Sequence, residues 1–167
     1  MTLTERGDKN STLQGWLHRA AGITAVLITT AFSLGVAGAT TAQAATQDVT
    51  WTLKNQETGR CLHGDWGNVQ TYGCTSHPSM YWNVHQWKDG TRELKSQFTG
   101  LCLDDSDAYG TRMYSCNASQ FQSWYVHRWN DGTLELKNQA TGRCLDDSRA
   151  YGLRTYPCNA TTYQSWY

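Results

Sequence analysis

The sequence has few charges and no cluster of one sign. Lys and Arg together number 14 of 167 residues, Asp and Glu also number 14, and the formal net charge is zero. From residue 45 onward, 11 basic and 12 acidic residues remain. Nucleic acids and anionic membranes are bound through basic patches. We therefore expect neither of them as a partner.

Long apolar runs are lacking from residue 45 onward, and the one such run in the chain lies at 20–38. Three basic residues precede it, and the small-x-small sequence Ala-Gln-Ala follows at 42–44. This order predicts a secretory signal peptide over 1–44, which leaves a mature domain at 45–167. A run of 19 residues is also just long enough for a membrane anchor, but its Thr, Ser and Gly residues favour a signal peptide. We expect a secreted, extracellular protein that does not insert into membranes after cleavage.

Catalytic and metal-binding patterns are also missing. The acids in "CLDD" at 102–105 and 144–147 are adjacent, so on a strand they point to opposite faces. A glycosidase instead needs two carboxyls about 5–10 Å apart across the sugar. The stretch "DDSD" at 104–107 lacks the spacing and the closing acid of a calcium loop. No zinc pattern is formed by His63, His77, His85 and His127. We expect no enzymatic activity, no cofactor and no metal.

The chain does contain a threefold internal repeat. Cys61, Cys102 and Cys144 are 41 and 42 residues apart, and the tryptophans at 82, 124 and 166 are spaced by 42. Such a period must be interpreted before any local motif. The copies span about 48–88, 89–130 and 131–167, which we call copies one, two and three.

Each copy shows alternating or short apolar runs between turn residues, without helical periodicity. In copy three, "TLELKNQ" (133–139), "RCL", "LRTYPC" and "QSWY" read as strands, and "DDSRAYG" (146–152) as a turn-rich loop. "KDG" and "NDG" (88–90 and 130–132) predict hairpin turns. About four strands per copy predict an all-β fold, a β-trefoil. A propeller has similar repeats, but three blades are too few to close one.

Six cysteines in a small exported domain predict a disulfide framework. Six cysteines allow 15 pairings. Pairing within each copy respects the repeat, and it gives three bonds: Cys61–Cys74, Cys102–Cys116 and Cys144–Cys158.

The repeated motif resembles the ricin-B-type (R-type) lectins. It consists of Cys-Leu-Asp, an aromatic residue two positions before a second Cys, and Gln-x-Trp, as in "TGRCLD" (141–146) and "PCNATTYQSW" (157–166). Within that family the likeness is greatest to the actinohivin-like secreted lectins. The resemblance covers the whole mature chain. It implies a β-trefoil that binds glycans or polysaccharides without catalysis. Mannose-type glycans are favoured, and galactose or xylan are alternatives.

Carried over by position, the resemblance implies two sugar sites. Their residues are Asp104, Tyr114 and Asn117 in copy two and Asp146, Tyr156 and Asn159 in copy three. Arg112 and Arg154 are also expected to bind sugar, and they stand where actinohivin-like lectins have a pocket tyrosine. The expected structural residues are Gln122 and Gln164, which tie the back wall of each pocket by hydrogen bonds, and Trp124 and Trp166, which lie in the core.

The two acids of "CLDD" are expected to differ. Leu145 is the natural core residue, so Asp146 should point outward, where a carboxylate can accept hydrogen bonds from sugar hydroxyls. Asp147 and Asp105 are interpreted as turn residues. In copy one His63 and Thr75 replace the Asp and the Asn and only Tyr72 remains, so that pocket should be lost or altered.

A β-trefoil that binds protein, such as a protease inhibitor, is the alternative function. Inhibitors of this fold act through one exposed loop, which repetition does not preserve. The repetition of polar pocket positions favours sugar.

Overall fold

The computed structural model describes residues 48–167. The predicted signal peptide lies outside these residues. Within them, no helix has the length and apolar character needed to cross a membrane.

The described chain consists of short strands, with single 3-10 turns before each repeated tryptophan. The strands are β1 (Val49–Trp51), β2 (Cys61–Asp65), β3 (Asn68–Tyr72), β4 (Trp82–Gln86), β5 (Arg92–Ser96), β6 (Cys102–Ser106), β7 (Gly110–Tyr114), β8 (Trp124–Arg128), β9 (Leu134–Asn138), β10 (Arg143–Ser148) and β11 (Gly152–Pro157). The 3-10 turns are Pro78–Met80, Gln120–Gln122 and Thr162–Gln164.

The strands form a nine-stranded sheet and a two-stranded sheet. Strands β1, β4, β5, β8 and β9 pair in that order, and every pairing is antiparallel. Hairpins β6–β7 and β10–β11 pair with this sheet through β5 and β9. Hairpin β2–β3 forms a separate two-stranded sheet, and Cys61 at its start makes an isolated bridge to Lys54. One hairpin and its flanking strands per copy is the architecture of a β-trefoil, so the predicted fold class is confirmed.

The chain end occupies the fourth-strand position of copy three. Trp166 forms isolated bridges to both Leu134 and Asn55. The Tyr167 and Lys54 backbones also exchange two hydrogen bonds of 2.9 and 3.1 Å. These bridges join copy three to copy one and complete the circuit that β1 to β9 begin.

The core is built from the same position of each copy. Trp82, Trp124 and Trp166 are fully buried among leucines, as predicted for the last two. Each indole Nε1 donates to the carbonyl of the leucine that follows the first cysteine of its copy, at 3.1–3.3 Å. A buried Trp needs such a partner for its N–H, so these bonds fix each hairpin onto the core.

The three disulfides join the predicted pairs, with Cα–Cα distances of 5.0, 5.1 and 5.0 Å. The same bond in each copy clips the first strand of the hairpin to the loop beyond its second strand. The pairing drawn from the repeat is confirmed.

Two local predictions have different outcomes. The turns at 88–90 and 130–132 do join β4 to β5 and β8 to β9, and Gly90 and Gly132 adopt φ of 88°, which favours glycine. In contrast, "DDSRAYG" is not a loop from its start. Strand β10 continues through Ser148, and only three residues turn before β11.

Candidate functional site

The hairpins of copies two and three place an arginine opposite the first acid of "CLDD". Antiparallel register pairs Asp104 with Arg112 across β6 and β7, and Asp146 with Arg154 across β10 and β11. Residues directly opposite in such a pair have side chains on the same face. Each acid is therefore covered by the arginine across from it.

The predicted outward position of Asp104 and Asp146 is wrong. Each residue is only 2% exposed. In copy two, Oδ1 accepts a hydrogen bond from Arg112 Nε at 2.9 Å and Oδ2 accepts from Gln122 Nε2 at 3.3 Å. Copy three repeats this arrangement, with distances of 3.0 and 3.3 Å. Strand alternation gave the correct face, but the arginine and the glutamine then close over that face.

The arginines bring charged groups to the surface. Arg112 Cζ lies 4.3 Å from the ring centroids of both Tyr109 and Tyr114. This contact geometry is that of a cation–π interaction. Arg154 makes the same contacts with Tyr151 and Tyr156, at 4.5 and 4.3 Å. The arginine side chains are 26% and 32% exposed. We call each group of one arginine and two tyrosines a Tyr–Arg–Tyr cluster.

The glutamines of Gln-x-Trp connect the acid to the asparagine of each site. Gln122 is fully buried and accepts from the Asn117 backbone N–H at 2.9 Å. Its amide donates to Asp104 and to the Ser115 carbonyl. Gln164 makes the equivalent bonds to Asn159, Asp146 and Pro157. Both glutamines thus hold the back of the site, where the sequence placed them.

The asparagines lie at the surface, with their side-chain oxygens engaged locally. Asn117 Oδ1 accepts from the Ser119 backbone N–H at 3.1 Å, and Asn159 Oδ1 accepts from the Thr161 N–H and hydroxyl. These are Asx-type turns. The side-chain Nδ2 groups of both residues make no hydrogen bond within residues 48–167, so each asparagine presents a donor to the solvent.

Copy one has an aromatic surface in place of a Tyr–Arg–Tyr cluster. His63 packs edge-on against Tyr72 at 5.2 Å, and His77 packs against Phe98 at 5.1 Å. Trp66, which is 68% exposed, lies 6.4 Å from Phe98. The position of the arginine is taken by Gln70, which accepts a hydrogen bond from the Tyr72 hydroxyl. The copy-one pocket is therefore altered in composition, as the sequence indicated.

Asp105 and Asp147 are not turn residues, which corrects the sequence interpretation. Both are strand residues with no exposed surface. Asp147 accepts from Arg60 Nη2 at 2.6 Å and from Thr71 Oγ1 at 2.8 Å, and also from the Thr58 hydroxyl. All three partners belong to copy one. The second acid thus joins copy three to copy one.

Copy two is joined to copy three in the same way. Asp105 accepts from Arg143 Nη2 at 3.0 Å, from Thr141 Oγ1 at 2.6 Å and from Thr155 Oγ1 at 2.7 Å. We call Asp105–Arg143 and Asp147–Arg60 the inter-copy ion pairs. Gly64 and Leu101 stand at the corresponding positions between copies one and two, so that junction has no charged pair of this kind.

Two groups of possible metal ligands lie close together in the described part of the chain, and both include the sulfurs of a disulfide. Glu93 lies close to the sulfurs of Cys102 and Cys116, and Glu135 to those of Cys144 and Cys158. Metal binding by cysteine requires a thiolate, and these sulfurs are bonded to each other. Neither group is a metal site.

Tyr109 and Tyr151 are site residues that the sequence interpretation missed. They are the most exposed tyrosines of the described chain, at 70% and 73%. The signal was present as "AYG" (108–110 and 150–152), which occurs in the two copies that keep the Asp and is absent from copy one.

Comparison with known proteins identifies the family of the domain. The family model described as "Ricin-type beta-trefoil lectin domain" matches residues 49–166. The chain belongs to the ricin-type β-trefoil lectin domain family. Such a domain is a carbohydrate-binding module.

Solved structures show the same fold at low sequence identity. The designed threefold-symmetric protein ThreeFoil is 22% identical with a TM-score of 0.64, and the match covers 70% of this chain and 95% of ThreeFoil. Hemolytic lectin CEL-III is 21% identical with a TM-score of 0.61, over 72% of this chain and 30% of that one. A GlcNAcα1-4Gal-releasing endo-β-galactosidase from Clostridium perfringens is 17% identical with a TM-score of 0.62, over 71% and 31%. A search of curated proteins found no match.

Proposed function

We propose that this protein is a secreted, non-catalytic lectin with two glycan-binding sites, at the Tyr–Arg–Tyr clusters of copies two and three. The observation that carries the proposal is duplication. An exposed aromatic and polar surface, backed by the same Asp and Gln, occurs at the same place on two hairpins. Exposed tyrosine rings can stack on the apolar face of a sugar, while the arginine and asparagine N–H groups bond to its oxygens.

Three disulfides in a domain of this size support secretion, because such bonds persist in oxidising compartments. The sugars favoured by family resemblance are mannose-type glycans, with galactose and xylan as alternatives. CEL-III is named as a lectin, which is consistent with sugar binding by this fold.

Two sites on one domain favour branched or polymeric glycans. A single shallow site binding at millimolar concentration contributes about −4 kcal/mol. When two such sites engage one polymer, the second binding event is intramolecular, and overall affinity rises without any new contact. We expect polysaccharides to bind more tightly than their monosaccharides.

The test is a glycan array together with pull-down on mannans, galactans and xylans, using the full chain produced in an oxidising compartment. Alanine at Tyr109 and Tyr151 should weaken the best ligand about tenfold, the effect of losing about 1.4 kcal/mol of contact. Both side chains are exposed, so folding should not change. Tyr125→Ala, which removes an exposed tyrosine from β8, should bind like the parent.

Two outcomes would contradict the proposal. One is a folded, oxidised protein that binds no carbohydrate on the array or in the pull-down. The other is inhibition of proteases in a standard panel together with unchanged sugar binding in the tyrosine variants, which would favour the protein-binding alternative.

A further inference from the structure

We infer that, among the glycans the lectin binds, the two Tyr–Arg–Tyr clusters prefer those that carry an anionic group, a carboxylate or a sulfate ester, over their neutral counterparts. The inference rests on the proposed function, because it names the substrate class of the same sites. Its starting point is the chemical character of the groups that each site presents.

The acceptors of each site are used internally. Asp104 has one carboxylate oxygen bonded to Arg112 and the other to Gln122. Asn117 has its side-chain oxygen bonded within its own turn. Copy three has the same pattern. The carboxylates are thus both bonded and buried, so a sugar hydroxyl cannot use them as acceptors, and the amide oxygens have already used one or both of their two lone pairs.

Most hydrogen-bond donors of the arginine in each site have no partner within residues 48–167. A guanidinium has five N–H groups, and Arg112 uses only Nε in a hydrogen bond within residues 48–167. Arg154 likewise donates only from Nε, to Asp146. The Nη1 and Nη2 groups of both residues thus remain for a ligand. Two parallel N–H groups match the two oxygens of a carboxylate or sulfate, and such charge-assisted pairs are the stronger hydrogen bonds.

Each guanidinium is also held in place before any ligand arrives. The Nε bond to a buried carboxylate and the contacts with two tyrosine rings, at 4.3–4.5 Å, fix its position. A side chain that is already ordered loses less entropy on binding. Beside Arg154 lies an open groove of about 280 Å³, lined in part by Ser106, Thr111, Arg143 and Asp107. Asp107 is paired with Arg143 Nη1 at 2.7 Å, and the groove gives a ligand access to Arg154.

The charge of the whole domain contributes little to this preference. Residues 45–167 are close to neutral, and Asp104 and Asp146 balance the two arginines. Long-range attraction of anions is therefore weak. Selectivity should come from contact with Nη1 and Nη2, and it should depend on the guanidinium shape as well as on its charge.

The experiment compares polymers that differ only in charge. Isothermal titration calorimetry on the full, oxidised chain would compare the affinity for polygalacturonate with that for its methyl ester, and the affinity for dextran sulfate with that for dextran. We expect each anionic polymer to bind at least about tenfold more tightly than its neutral partner. The polygalacturonate and dextran sulfate arms separate a carboxylate ligand from a sulfate ligand.

The variants identify the residues responsible. Changing both Arg112 and Arg154 to Gln, the residue that copy one carries at this position, should abolish the difference between each charged and neutral pair. The Arg→Lys pair keeps the charge but removes the fork, and it should lose most of the preference. The matched control changes Arg92 and Arg128, two other partly exposed arginines, to Gln, and it should bind like the parent.

Measurement on the unmodified protein guards against misfolding of these variants. Titration with galacturonate should shift the side-chain N–H resonances of Arg112 and Arg154 in NMR spectra, and galactose should shift them far less. Equal binding of charged and neutral polymers would overturn the inference and leave the lectin proposal standing. Equal losses in the Arg92/Arg128 control, or tighter binding of neutral polymers after Arg→Gln, would also overturn it. Absence of binding to every carbohydrate would overturn both.

Discussion

Arg143 holds two aspartates that differ in their exposure to water. Asp105 is fully buried and lies 3.0 Å from Arg143 Nη2, whereas the Asp107 side chain is 87% exposed and lies 2.7 Å from Nη1. Similar distances therefore do not imply similar contributions to stability. A buried ion pair that loses one partner leaves an uncompensated charge, while an exposed pair is weakened by water and salt.

Asp105→Asn should lower the free energy of unfolding by about 3 kcal/mol. Asp107→Asn, at the other end of the same arginine, should lower it by less than about 1 kcal/mol. Urea unfolding of both variants and the parent measures the difference. Equal effects of the two substitutions would contradict the assignment of Asp105 as the residue that joins copies two and three.

At the level of structural elements, the β2–β3 hairpin packs closely on the core because Gly64 has no side chain. A Cβ added to Gly64 would lie 2.6 Å from the outer edge of the Trp82 ring and 3.1 Å from the end of Met113. The ring is fully buried and cannot move away cheaply. The other hairpins carry aspartate at this position, whereas in copy one the Trp82 ring and the end of Met113 lie where a Cβ would stand.

Gly64→Ala should therefore destabilise the protein by about 1–3 kcal/mol through overpacking. Gly73→Ala is the matched control, because Gly73 belongs to the same copy, has an ordinary φ, and has no atom within 4 Å of the added Cβ. Its effect should be within about 0.5 kcal/mol. Thermal or urea unfolding tests both, and equal stability of the two variants would show that the hairpin can shift away from the Trp82 ring.

The elements differ in how much of them the sequence reveals. The period of about 42 residues predicted the strands, the disulfides and the buried Gln-x-Trp residues, because each is a local feature that recurs. The burial of Asp104 and the roles of Asp105 and Asp147 depend on the partner across the hairpin or in the next copy. The end of β10 had to be known before Asp146 could be placed opposite Arg154, and turn-like residues in "DDSRAYG" concealed that end.

For the molecule as a whole, carboxyl groups in the β4–β5 and β8–β9 hairpins act on stability in opposite directions with pH. A hydrogen bond from the Thr91 side chain, and a smaller effect of the Thr91 backbone N–H, lower the pKa of Asp89. A hydrogen bond from the Thr133 backbone N–H, and a smaller effect of the Thr133 side chain, lower the pKa of Asp131. Burial raises the pKa of Glu93. A carboxyl whose pKa is lower in the folded state stabilises the protein above its unfolded-state pKa, and this stability is lost as pH falls. A carboxyl whose pKa is higher in the folded state stabilises the protein below its unfolded-state pKa, and this stability is lost as pH rises.

Unfolding temperatures measured from pH 2 to 8 should reveal both effects. Stability contributed by Asp89 and Asp131 should be lost as pH falls below their ordinary range of about 4, and the doubly Asn-substituted protein should lose less in acid. Glu93→Gln should raise stability at neutral pH, where the native carboxylate is ionised and partly buried, and this gain should vanish in acid. A Glu93→Gln gain that does not depend on pH would contradict burial as its cause.

The inter-copy ion pairs also encode the order in which the copies can follow one another around the molecule. Two junctions between copies contain an ion pair, Asp105 with Arg143 and Asp147 with Arg60. At the third junction Gly64 and Leu101 occupy the equivalent positions. A circular permutation that starts at copy two preserves every match. Exchanging copies two and three would bury Asp147 against Leu101 and leave Arg143 facing Gly64. Pairing of charges between neighbouring copies therefore favours a single cyclic order of the three similar segments.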